Sequence, residues 1–396
     1  MRKRYYTLII LTVLLASCST PGESVDTVGT IVSGTLNAQT PGAASPDILT
    51  DVPASYLLPA SLFFLDQDGS GLDQIYRLAQ DGVSLTQVTY EPADVGGFDV
   101  SRLDGRLVYV SNNQLLLVAA DGSGRQTLLD GGPLTANDSY YTNRISSPRW
   151  APDGRVVFGF GGLNVYDFNT GTTTNVLSNV VEYGGGYPLP RELFSPIEFS
   201  PDGTRLLVSI GWMEGGTMGI YDIASGALTP PSLQGIFCCS TQWAPDSSAV
   251  YVASSSYGMI SSGLWRFDAV TGLVATLLSS DVNSSTFNFA DLPLIGPDGQ
   301  LYFLFSYLNV NPEGHTPLYL VRSAVDGVTG RTALYPESLT DINGGLWAPD
   351  ASLLVLARAI PDTDYEWEGG QFVIYYMDGR SPLGLNAVGR YMRWGP

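Results

Sequence analysis

The sequence predicts an all-β fold, a seven-bladed β-propeller of four-stranded antiparallel blades, on three observations. A short motif recurs at near-constant spacing, two apolar strand-like runs follow each copy, and the second run ends at a turn glycine. Composition agrees. Of 396 residues, 45 are Gly, 22 Tyr and 7 Trp, with 44% hydrophobic and 14% charged. That balance is too apolar and aromatic for a disordered chain and too rich in Gly for a helical bundle.

The motif occurs five times, at Trp150-Ala-Pro-Asp-Gly154, Phe199-Ser-Pro-Asp-Gly203, Trp243-Ala-Pro-Asp-Ser247, Ile295-Gly-Pro-Asp-Gly299 and Trp347-Ala-Pro-Asp-Ala351. A degenerate copy begins at Ser101, and the chain stops inside a further copy at Trp394. First positions are separated by 49, 49, 44, 52, 52 and 47 residues, the period of a propeller blade.

After each copy comes a β-branched and aromatic run, as at 107–110, 156–158, 206–210 and 301–305, the composition of a buried strand. A second run follows, as at 163–166, 264–267 and 372–377, and then one of seven glycines: Gly82, Gly122, Gly171, Gly226, Gly272, Gly327 and Gly379. Asp precedes four of them, which predicts two-residue hairpin turns. The unit is thus an inner strand A, the Pro-Asp-Gly turn, strand B, a variable loop, strand C, the glycine turn and an outer strand D. The first B and C runs, at 62–65 and 75–78, lack an A strand before them. Residues 391–394 have the A signature with nothing to follow, so the C-terminal strand is expected to join the N-terminal blade and close the ring. The 342 residues from 55 to 396, shared among seven blades, give about 49 each.

These copies resemble the TolB-type and WD-like propeller repeats of bacterial envelope proteins. TolB itself resembles a six-bladed ring behind a small α/β domain, whereas this chain has seven units and only a tether in front. The resemblance therefore implies a fold class and not a Tol partnership.

Residues 1–17 read as an export signal: basic Arg2, Lys3 and Arg4, an apolar run too short to span a bilayer, then Ala16 and Ser17. Leu15-Ala16-Ser17-Cys18 resembles the lipobox of bacterial lipoproteins, which implies a lipid on Cys18. Residues 18–54 form a tether. Its stretch from Ser19 to Ala54 has four Pro and neither aromatic nor basic residues, with a coil span of about 30 Å. The propeller domain is 55–396. The expected location is outside the cytoplasm, lipid-anchored to the outer face of the cytoplasmic membrane or to the outer membrane, with the lipid as the only membrane contact.

Composition also excludes functions. With 19 basic against 38 acidic residues and a net charge of −19, the surface repels phosphate backbones, so nucleic acid is not an expected partner. Lys3 is the only lysine and His315 the only histidine, which removes Schiff-base chemistry and polyhistidine metal sites. No Gly-x-Ser-x-Gly elbow is present. No cofactor, no metal and no catalytic residue are expected.

The motif residues read as structure, with Trp150, Trp243, Trp347 and Trp394 packing between blades and Asp153, Asp202, Asp246, Asp298 and Asp350 capping their turns. Long connections gather on the opposite face, and Tyr140, Tyr141, Arg144, Tyr187, Arg191 and Trp367 are the candidate ligand-binding residues there, because aromatic side chains and Arg dominate interfaces. Asp362, Asp364, Glu366 and Glu368 alternate along one loop. If extended, they would face one way and hold a hard cation; otherwise they form a solvated acidic loop. Asp66 to Asp73 superficially resembles a calcium loop but falls where a B to C hairpin belongs. Cys238 and Cys239 are adjacent, pointing to opposite sides of a strand or joined in a vicinal disulfide.

The expected function is a noncatalytic binding or scaffold module, a monomer that binds protein or glycan at the envelope through its long-loop face. The alternative is an envelope glycan-active enzyme using carboxylates or calcium in the propeller channel.

Overall fold

The computed structural model describes residues 56–134, 141–233, 240–256, 261–280, 286–309 and 316–396. Cys18, Tyr140, Cys238, Cys239 and His315 lie outside the described residues, as do the leader and the tether. Apart from a short helical turn at 141–142, the described regular structure is strand. The fold is all-β.

The strands form six antiparallel sheets of four or more strands, and consecutive strands are neighbours in each. Val95–Val100, Leu107–Ser111, Gln114–Val118 and Gln126–Asp130 show the pattern. Leu107–Ser111 is buried at every position and so is Ala249–Ser254, whereas the last strand, Gln126–Asp130, is exposed or half-buried throughout. Continuous apolar runs thus become strands covered on both faces, and mixed runs become sheet edges.

The largest sheet has seven strands because one of them, Leu383–Trp394, serves two partners. Its first part pairs with Gly370–Tyr376, placing Leu383 opposite Ile374, and its last part pairs with Leu62–Gln67, placing Trp394 opposite Leu62. A register shift near Tyr391, at φ +54°, marks the passage from one partner to the other. The pairing expected of the last residues is present.

Apolar packing follows the same order. One cluster joins Leu62 and Phe64 to Val355, Phe372 and Ile374, another joins Phe63 and Leu65 to Phe98 and Tyr109, and others pair each later sheet with the next. Every cluster but the first lies between two sheets, and the first joins the two halves of the seven-stranded sheet. The motif tryptophans are part of this arrangement. Trp243 Nε1 donates to the Glu198 carbonyl at 3.3 Å, Trp347 Nε1 to the Leu292 carbonyl at 2.9 Å and Trp394 Nε1 to the Trp347 carbonyl at 2.6 Å. In each case the acceptor lies about one repeat earlier.

The motif aspartates cap their turns as expected. Asp153, Asp202, Asp246, Asp298 and Asp350 each accept the amide two residues on, at 3.0 to 3.1 Å. The glycine turns need a correction. All seven glycines have φ between +66° and +85°, but the residues before them do not share that conformation. At the first, Gly82 N–H donates to the Ala79 carbonyl and Ala79 N–H to the Ser84 carbonyl, both at 2.9 Å. The loop is therefore four residues long. Asp81 makes this stable by accepting the amides of Val83 and Ser84, each at 2.9 Å.

Candidate functional site

The segment 178–194, read from sequence as a long loop, is a hairpin. Val180–Gly184 pairs with the start of Tyr187–Phe199, with Gly184 opposite Tyr187. Gly185 and Gly186, at φ +62° and +84°, make a two-residue turn that side chains would strain. The rest of Tyr187–Phe199 pairs with Arg205–Trp212, which continues through a tight turn into Gly215–Asp222. Two hairpins thus adjoin at one end of one sheet. Tyr183, Tyr187, Trp212 and Met213 on them are between 42% and 68% exposed. Arg191 is exposed and paired with Glu182 at 2.7 Å, a contact worth less than about 1 kcal/mol in solvent.

Tyr141 and Arg144 lie just before the strand Ser146–Trp150, and two asparagines hold their segment. Asn179 Nδ2 donates to the Tyr141 carbonyl at 3.0 Å while its Oδ1 accepts Phe194 N–H at 2.8 Å. Asn113 does the same for the Asn143 carbonyl at 2.9 Å and Ile145 N–H at 2.8 Å. The hairpin root and the Tyr141 segment are therefore joined. Trp367 is exposed and stands elsewhere, in the connection between Leu353–Arg358 and Gly370–Tyr376.

That connection is turned rather than extended. Ile360 N–H donates to the Tyr365 carbonyl at 3.0 Å, Glu366 N–H to the Thr363 carbonyl at 3.1 Å, and Asp362 has φ +60°. Asp362, Asp364, Glu366 and Glu368 consequently do not line up along an extended strand. Glu368 accepts the Tyr391 hydroxyl and lies 3.7 Å from Arg390. Among the described residues no three His, Cys, Asp or Glu side chains are grouped for a metal ion. Residues 66–73 form a B to C hairpin turn, in which Asp68 accepts the amides of Ser70 and Leu72.

The sequence pointed to channel chemistry without marking the charged residues of a second region. A cavity of about 1570 Å³ is lined by inner strands from every repeat. The residue just before each motif, or two before it in the degenerate copy, lines it: Asp99, Arg149, Glu198, Gln242, Leu294, Leu346 and Arg393. The charged members come from four successive repeats, counting the C-terminal strand with the first. Asp99 Oδ1 lies 3.4 Å from Arg393 Nε, and its Oδ2 accepts Trp150 N–H at 2.8 Å. Arg149 Nε and Nη1 donate to the carbonyls of Ile197 and Pro148, at 2.5 and 2.8 Å. Burial, then neighbouring Arg393, lower the Arg149 pKa to about 10. Burial pushes the Glu198 carboxyl up, against the pull of Arg393, Arg102 and Arg149. Asp291 is also pushed up by burial and accepts the Ser255 hydroxyl at 3.0 Å. The signal was present in the sequence as a polar residue among apolar ones ahead of five of the seven copies.

No protein-family model and no curated protein matches the chain. Solved structures do. The chain is similar to a prolyl endopeptidase structure at 12% identity and a TM-score of 0.54, over 85% of this chain and 49% of that one, so it spans about half of the enzyme. It is similar to a functionally unknown protein from Desulfotomaculum acetoxidans at 12% identity and a TM-score of 0.52, over 85% of this chain and 99% of that one. TolB from Acinetobacter baumannii aligns at 18% identity and a TM-score of 0.43, over 85% and 83%. At such identities the likeness is one of fold.

Proposed function

We propose that this protein is a noncatalytic, lipid-anchored module of the cell envelope that binds a protein partner through the long-connection end of a seven-bladed β-propeller. The observation carrying the reading is the pair of adjoining hairpins that present Tyr183, Tyr187, Trp212 and Met213 to solvent. Exposed aromatic side chains on rigid strands lose little conformational freedom on binding, which suits them to a protein interface. Ring closure is supported by the shared strand Leu383–Trp394 and by apolar clusters that run from sheet to sheet and join the two halves of the seven-stranded sheet. Export and anchoring rest on the basic and apolar leader and on Cys18.

The experiment is capture from detergent-solubilised envelopes with the full chain as bait. A partner retained by the wild type and by Asp350→Ala, but lost with Tyr183→Ala/Tyr187→Ala, supports the reading. Equal retention by all three baits contradicts it.

A second reading is favoured by one observation: Asp99 and Glu198 line the cavity beside arginines, as an acid and base pair in a glycan-active enzyme would. Turnover of an envelope glycan that disappears in Glu198→Gln would establish it.

A further inference from the structure

The cavity has its own chemistry, apart from the hairpins. In a chain with twice as many acidic as basic residues, Arg102, Arg149 and Arg393 line one cavity. Facing them are Asp99, already engaged by Arg393 and the Trp150 amide, and Glu198. The third lining carboxylate, Asp291, belongs two repeats away and takes the Ser255 hydroxyl. Locally, three guanidinium groups meet two carboxylates.

One donor stands unused at this wall. Arg149 forms no ion pair among the described residues, and Nη2 of its guanidinium donates to none of their atoms, both of its bonds running to backbone carbonyls through Nε and Nη1. The next residue, Trp150, packs between sheets, stacked on Phe168 with Arg106 over its ring and its indole Nε1 buried, so Arg149 is the donor left for a ligand in the cavity.

We propose that this cavity binds a small ligand through a single carboxylate, held by the Arg149 guanidinium. A planar carboxylate matches the guanidinium fork, whereas a doubly charged phosphate would face Asp99 and Glu198 at close range. The apolar Leu294 and Leu346 on the far side give the ligand's body a neutral wall. Such a carboxylate is carried by an acidic sugar or by the C-terminus of a peptide.

Calorimetric titration of the full chain in detergent micelles tests this, with D-glucuronate, N-acetylglycine, inorganic phosphate and glucose as probes. Saturable binding of D-glucuronate or N-acetylglycine is expected, and the tighter of the two identifies the source. Glucose should not bind, and phosphate should bind more weakly than either carboxylate. Arg149→Gln should weaken the bound carboxylate by about tenfold or more, and Arg149→Lys should restore part of the loss. Absence of binding by both carboxylates, undiminished affinity in a folded Arg149→Gln, or tighter binding of phosphate would overturn the assignment.

Discussion

The indole N–H of Trp394 donates to the main-chain carbonyl of Trp347 at 2.6 Å. The two residues occupy the same motif position in the last two copies, and the bond ties Leu383–Trp394 to Ile342–Trp347 within the seven-stranded sheet. Trp394 also stands opposite Leu62 in the ladder with the first described strand.

Removing residues 388–396 should therefore abolish cooperative unfolding, since it exposes the edges of Leu62–Gln67 and withdraws Met392 from the cluster around Phe64. Trp394→Phe keeps the ring and loses one hydrogen bond, so it should cost only about 1 kcal/mol. Thermal melts followed by circular dichroism distinguish the two. A truncated chain that melts as sharply and as high as the full one would be incompatible with this role.

Glu91 should be among the most sensitive positions in the fold. It is buried and accepts the Tyr109 hydroxyl at 2.7 Å and two bonds from Arg125 at 2.7 and 2.9 Å, while Gln74 bonds its backbone on both sides. Glu91→Ala strands the Tyr109 hydroxyl in the interior and should lower stability by about 2 kcal/mol. Denaturant midpoints of Glu91→Ala and Tyr109→Phe, alone and combined, should be non-additive.

Acid should destabilise the protein through its turns. The Ser200 hydroxyl, followed by the amide and hydroxyl of Thr204, holds the Asp202 pKa down to about 2, and hydrogen bonds from Ser248 lower that of Asp246. A depressed carboxylate contributes stability that is fully present above the unfolded pKa of about 4 and lost as pH falls through the folded value. Melting temperature should thus decline from about pH 4 towards pH 2, and less steeply in Asp202→Asn. A profile unchanged by that substitution would remove Asp202 from the account.

The repeat made much of this fold legible. Pro-Asp-Gly spacing located the inner strands, and the unfinished copy at Trp394 pointed to the pairing with the first strand. The glycine turns were placed correctly but misjudged in length, because a capping aspartate stabilises a four-residue loop as readily as an Asp-Gly pair forms a shorter one. The hairpin at Gly185 and Gly186 was missed since Pro188 and Pro190 interrupt its strand pattern, although paired glycines between aromatic runs announce such a turn. Arg149 and Glu198 were passed over because a polar residue on an alternating strand reads as solvent-facing, and only the convergence of several strands turns that face into a cavity. Asn113 and Asn179 act through contacts some 15 to 38 residues away, which no local pattern encodes.

The most direct measurement of where a partner binds is amide hydrogen exchange of the protein alone and in complex with a partner captured from envelopes. Slowed exchange is expected across the hairpins 180–193 and 210–217, with the turns at Asp153, Asp202 and Asp298 unchanged. Protection confined to those turns, with the hairpins exchanging as in the free protein, would contradict it.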